Sequence, residues 1–67
     1  MNTKKKVVVN IYGSEYTIVG ERSEDYIKYI AEKVDETMRE IGSKNNKYST
    51  TMIGVLTALN MADFLYK

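Results

Sequence analysis

From Lys6 to Tyr12 apolar and polar positions alternate along the chain. Val7, Val9 and Ile11 share one face, and Val8, Asn10 and Tyr12 share the other, the period of two expected of a half-buried strand. The face holding Val7, Val9 and Ile11 is the expected inner one. Gly13-Ser14 reads as a two-residue turn with glycine first, the type II′ pattern. Alternation resumes from Glu15 to Val19, with Tyr16 and Ile18 set against Thr17 and Val19. The pattern predicts a β-hairpin that ends at Gly20, Glu21 and Arg22.

The period then changes. Ser23 stands before Glu24-Asp25, a capping hydroxyl followed by two first-turn carboxylates, so a helix is predicted to start there. Apolar residues recur at Ile27, Ile30, Val34, Met38 and Ile41, while Lys28, Glu32, Lys33, Glu36, Arg39 and Glu40 fill the other side. Gly42 reads as a C-terminal cap, and residues 43–47 as polar loop. Ser49 or Thr50 can cap a second helix that is apolar nearly all round, broken only by Thr51, Gly54, Thr57, Asn60 and Asp63. Such a helix is a buried one, and one hairpin plus one amphipathic helix is too little to cover it. It also carries a heptad row, Met52, Val55, Leu59, Ala62 and Tyr66, suited to meeting a second copy of itself. The predicted fold class is α+β, a β-hairpin followed by two helices (ββαα), dimerising through the second helix. Residues 1–5 are expected to form a flexible basic arm and residues 6–67 a single domain. No capping cluster follows Phe64-Leu65-Tyr66, so the second helix is expected to continue into a stalk beyond Lys67.

Composition sharpens this picture. With 67 residues, the chain is short enough that a disulfide, a metal or a partner subunit is usually needed for comfortable stability. It has no cysteine and no histidine. That removes disulfides, thiolate and imidazole metal ligands, and the Ser-His and Cys-His nucleophilic pairs. No enzyme activity, cofactor or metal is expected, and self-association is the default. The formal charge of +1 gives no bulk attraction to nucleic acid or to an anionic membrane. The apolar run from Met52 to Tyr66 is too short to span a bilayer. Lys4, Lys5 and Lys6 read first as a solubilising flank. Glu32, Asp35 and Glu36 read as a solvated face, with Glu32 near Lys28 and Asp35 near Arg39. Tyr12, Tyr16, Tyr26 and Tyr29 read as core or interface residues with hydroxyls at the rim rather than as a platform for single-stranded bases. Asn60, an amide in an apolar helix, would need a partner if buried and could fix helix register.

Val7-x-Val9-x-Ile11-Tyr12-Gly13, then Tyr16-x-Ile18, then Ala31, Val34, Asp35 and Met38, then Thr57-Ala58-Leu59-Asn60 together resemble the head domain of the ZapA family, in their order and spacing over residues 6–66. The resemblance implies a non-enzymatic, cytoplasmic cell-division protein at the division site. It implies binding to the tubulin-like GTPase FtsZ and bundling of its protofilaments. It also implies head dimers that a following C-terminal coiled-coil helix would pair into tetramers. The dimer interface is expected at Met52, Ile53, Val55, Leu56, Leu59, Asn60, Ala62 and Tyr66. Where the family often has a charged residue after the Tyr/Phe-Gly turn this chain has Ser14. Toward an acidic filament, charge complementarity therefore favours Arg22, Lys44 and Lys47 as contacts. The alternative is a small dimeric DNA-binding protein that uses its β-ribbon and the arm at Lys4 to Lys6.

Overall fold

The computed structural model describes residues 4–66 and has the element order ββαα. The strands are β1, Lys5–Ile11, and β2, Ser14–Gly20; the helices are α1, Glu24–Lys44, and α2, Thr50–Leu65. β1 thus begins at Lys5, one residue earlier than expected, and residues 1–3 of the expected arm lie outside the described residues. The fold divides into two compact units, one up to Asp35 and one from Glu36.

In the first unit, β1 and β2 pair antiparallel, with Ile11 opposite Ser14, Val9 opposite Tyr16 and Val7 opposite Ile18. The turn residues are therefore Tyr12 and Gly13, not the expected Gly13-Ser14. Both have positive φ, 51° and 82°, which makes the turn type I′ rather than II′. The left-handed conformation suits Gly13 but strains Tyr12, because a Cβ there crowds the following carbonyl, at about 1–2 kcal/mol. The Tyr12 N–H donates to Asp35 Oδ1 at 2.7 Å, a charge-assisted bond from α1 that offsets that strain. Asp35 is thus part-buried against the turn rather than on a wholly solvated face. The core of this unit is Val7, Val9 and Ala31, with Ile11 and Ile27 packed against it. The inner face of β1 is the one its alternation indicates.

Ser23 caps α1 as expected: its Oγ accepts from the Tyr26 N–H at 3.1 Å. Lys28 pairs with Glu24 at 2.9 Å rather than with Glu32. The Lys28 ammonium holds the Glu24 carboxyl below its ordinary range, and Glu24 in turn raises Lys28. The small contribution of this exposed pair is present above the carboxylate's ordinary range and fades as acid protonates Glu24.

In the second unit α1 passes through Gly42 and ends at Lys44, so Gly42 is not the cap. Its φ is not in the left-handed region, and the Ser43 hydroxyl donates back to the Glu40 carbonyl at 2.8 Å, within the last turn. Asn45 makes the stop. Its Oδ1 accepts from the Lys47 N–H at 2.9 Å, an Asx turn, and its carbonyl accepts from the Tyr48 N–H at 3.2 Å. Ser49 is the N-cap of α2, its side chain accepting from the Met52 N–H at 3.1 Å. Ile53 and Met38 are buried here, and so is Thr57, at 4% exposure. Thr57 therefore belongs to the packed side of α2 and not to its polar stripe.

The Thr57 Oγ1 has no hydrogen-bond partner among the described residues. A buried hydroxyl left unpaired costs about 1–3 kcal/mol, which an apolar group of the same shape does not incur. Thr57→Val should raise stability by about 1 kcal/mol, or about 4–8 °C in Tm for a domain of this size, with the secondary structure unchanged by circular dichroism. A drop in Tm would show that the hydroxyl is paired.

Candidate interaction surfaces

α2 is apolar on two sides. At about 100° per residue, Ile53 and Thr57 mark one side of the helix, and the row Met52, Val55, Leu59, Ala62 and Tyr66 lies on the opposite side. The first side is buried within the chain. The second is exposed along its length: Met52 at 48%, Val55 at 54% and Leu59 at 63%, with Ala62 and Tyr66 exposed beyond them. Single exposed apolar side chains are ordinary, whereas a continuous row of them on a helix marks an interaction surface. Of the residues expected at a dimer interface, Ile53 is already buried inside the chain and Leu56 is half-buried, while Met52, Val55, Leu59, Asn60, Ala62 and Tyr66 stay exposed. Asn60 is thus an exposed amide rather than a core residue, and at about 100° per residue it falls on the side of α2 that carries Ile53 and Thr57.

Ile41, Lys44, Tyr48, Leu56, Leu59 and Asn60 line one open groove of about 370 Å³ in the second unit. Lys44 therefore shares a groove with Leu59 of the apolar row, whereas Lys47 stands exposed in the Asx turn. Arg22 is in the first unit, exposed, its guanidinium 3.9 Å from the centroid of the Tyr26 ring. Lys33 sits 5.2 Å over the Tyr29 ring in the same way. These cation–π pairs occupy the faces of two of the four clustered tyrosines. Their sequence signal is a cation and an aromatic residue four apart, Arg22 with Tyr26 and Tyr29 with Lys33. The three cations expected at a partner contact therefore do not form one patch within a unit: Arg22 lies in the first and Lys44 and Lys47 in the second.

Asp35 has a structural role that the sequence pattern did not single out. Its carboxylate fixes the Tyr12-Gly13 tip of the hairpin. Among the described residues no group of three or more acidic side chains is placed to hold a metal ion, and no helix is long and apolar enough to cross a membrane.

The family model described as "Cell division protein ZapA" matches residues 7–67. The chain is 47% identical over 58 residues to the cell division protein ZapA of Bacillus subtilis, covering 87% of this chain and 67% of that protein. It is 42% identical over 64 residues to the one of Halalkalibacterium halodurans, covering 96% and 70%. Among solved structures, a ZapA mutant dimer from Geobacillus stearothermophilus superposes with a TM-score of 0.84 at 36% identity, over 98% of this chain and 77% of that one. The chain spans about two thirds of the length of these curated relatives. With the family model matched from Val7 in β1 through the second helix and the ββαα fold shared with a solved member, this chain belongs to the ZapA family of cell division proteins.

Proposed function

We propose that the chain homodimerises through the exposed row of α2 and that the dimer binds FtsZ and crosslinks its protofilaments into bundles, without catalysis, in the cytoplasm at the division site. The observation that carries this reading is the row itself. A helix with one apolar side buried and a second left in water calls for another helix, and the related solved chain is described as a dimer. A dimer offers two copies of each contact to a repeating filament. Once one copy is bound, the second engages at high effective concentration, so weak sites suffice.

Arg22, Lys44 and Lys47 are the proposed electrostatic contacts. Lys47→Glu is the cleanest probe, since its side chain is exposed and lies outside the residues lining the α2 groove. Rim charges act mainly on association rate and salt dependence. Lys47→Glu together with Lys44→Glu should weaken co-sedimentation with FtsZ polymer about fivefold or more at low salt, where screening is least. The difference should shrink as ionic strength rises. Sedimentation of the variant alone checks that the dimer persists, because Lys44 shares a groove with Leu59. Equal co-sedimentation of variant and wild type across a salt series would place the contact elsewhere.

A further inference from the structure

The sheet has only two strands, in the order β1-β2, so β2 has an outer edge with no strand on it among the described residues. Edge strands in natural proteins are usually blunted by charge, proline or a bulge. β2, Ser-Glu-Tyr-Thr-Ile-Val-Gly, has one charge and no proline. Its Tyr16, Ile18 and Val19 are all exposed. Beside it, Ile11, Ile18, Ile27, Ile30 and Val34 wall a mainly apolar slot of about 240 Å³, with Arg22 and Tyr26 also in its lining. Both the open edge and the slot belong to the first unit, whereas the row on α2 belongs to the second.

We propose that this edge is a second self-association surface, on which β2 of another copy pairs antiparallel about Thr17 to make a four-stranded sheet.

The backbone phase selects that register. The pair that closes a two-residue hairpin is hydrogen-bonded and the pattern alternates from it. From the closing pair Ile11–Ser14, it follows that Ser14, Tyr16, Ile18 and Gly20 bond to β1. Glu15, Thr17 and Val19 are left with their N–H and C=O groups aimed at the open edge. A two-fold axis at Thr17 sets Thr17 against Thr17 of the second copy and Glu15 against its Val19. All three outward-bonding residues then find outward-bonding partners, and all seven residues of the strand are paired.

The side chains agree with this arrangement. On the face toward α1, Tyr16 of the second copy falls opposite Ile18, over the apolar slot. On the other face Lys6 of β1 is opposite Val19, and across Val19 comes Glu15 of the second copy, so a cation and a carboxylate flank one valine on each side of the axis. The two Glu15 residues are kept at opposite ends. Thr–Thr and opposite-charge pairs are both favourable across strands. The contact is isologous, as a two-fold dimer requires. A helix such as α2 of another copy has no free backbone groups to offer this edge.

The chain contains no cysteine, so Thr17→Cys places a single reporter on the axis. A hydrogen-bonded antiparallel pair has Cα atoms about 5.5 Å apart, within disulfide range. Under mild oxidation T17C should form a disulfide-linked dimer, in the wild-type and in the Leu59→Asp background alike. Asn10→Cys, on β1, should not. In unmodified protein the N–H groups of Glu15, Thr17 and Val19 should exchange with deuterium at least about tenfold more slowly at high than at low protein concentration. If T17C stays a free thiol and these three N–H groups exchange at one fast rate at all concentrations, the proposal is wrong, and the reading of α2 and FtsZ is untouched. Protection that appears only on adding FtsZ assigns the edge to that partner and also overturns it. Crosslinking by T17C in a protein that does not co-sediment with FtsZ upholds the strand pairing and contradicts the functional reading instead.

Discussion

Replacing Leu59 by Asp should break the α2 dimer and leave a folded protomer. Leu59 is 63% exposed in the single chain, so a carboxylate there meets water and leaves the protomer's own packing intact. In a helix–helix seam the same carboxylate is buried without a partner, which costs several kcal/mol, enough to shift a micromolar dimer entirely to monomer. Leu56 is half-buried within the chain, so a charge there would confound dissociation with unfolding. At a chain concentration low enough that the β2 edges stay unpaired, sedimentation equilibrium should give one chain mass for L59D and two for wild type, with the helical circular dichroism signal retained. A wild-type chain that is monomeric at micromolar concentration would refute the α2 interface.

The second large effect is expected at the hairpin tip. Asp35→Ala removes the acceptor of the Tyr12 N–H and leaves a strained left-handed tyrosine without its offsetting bond. A hydrogen bond to a charged group contributes about 1.5–3 kcal/mol. The loss should lower Tm by about 6–24 °C in a domain of this length. Asp35→Asn keeps an acceptor oxygen at the same position and loses the charge, so it should fall roughly midway. Tyr12→Gly, which relieves the strain, should recover part of the Asp35→Ala loss when the two are combined, a coupling that a double-mutant cycle measures. Additive effects of the two changes would mean that bond and strain are unrelated.

The contrast between these two sites shows what the amino-acid order reveals. The Leu59 row is local information: steps of three and four along one helix are visible in the sequence, and so are the capping serines at 23 and 49 and the alternation of Val7, Val9 and Ile11. Asp35 and Tyr12 are 23 residues apart, and nothing local tells a carboxylate on a charged helix face that its partner is the N–H of a turn. The position of the turn escapes a local reading for a related reason. Tyrosine disfavours positive φ, so Gly13-Ser14 was the natural local choice, and the cross-strand register that pairs Ile11 with Ser14 overrode it. Gly42 failed as a stop because glycine permits a left-handed cap without demanding one, while the Asx turn at Asn45 supplies the termination. Thr57 looked like part of a polar stripe because apolar residues surround α2. Which side of such a helix is packed within the chain is decided by tertiary contacts, not by period.

The central claim is that a dimer formed by the α2 row crosslinks FtsZ filaments. The most direct test is to mix wild type or L59D with GTP-assembled FtsZ at matched chain concentration, and to read pelleted protein together with filament images by electron microscopy. Wild type should pellet with FtsZ and draw the filaments into bundles. At a chain concentration low enough that the β2 edges stay unpaired, L59D should bind more weakly and leave the filaments single, since a protomer with one contact cannot bridge two filaments. Bundling by L59D equal to wild type, or no pelleting of wild type with FtsZ, would contradict the account.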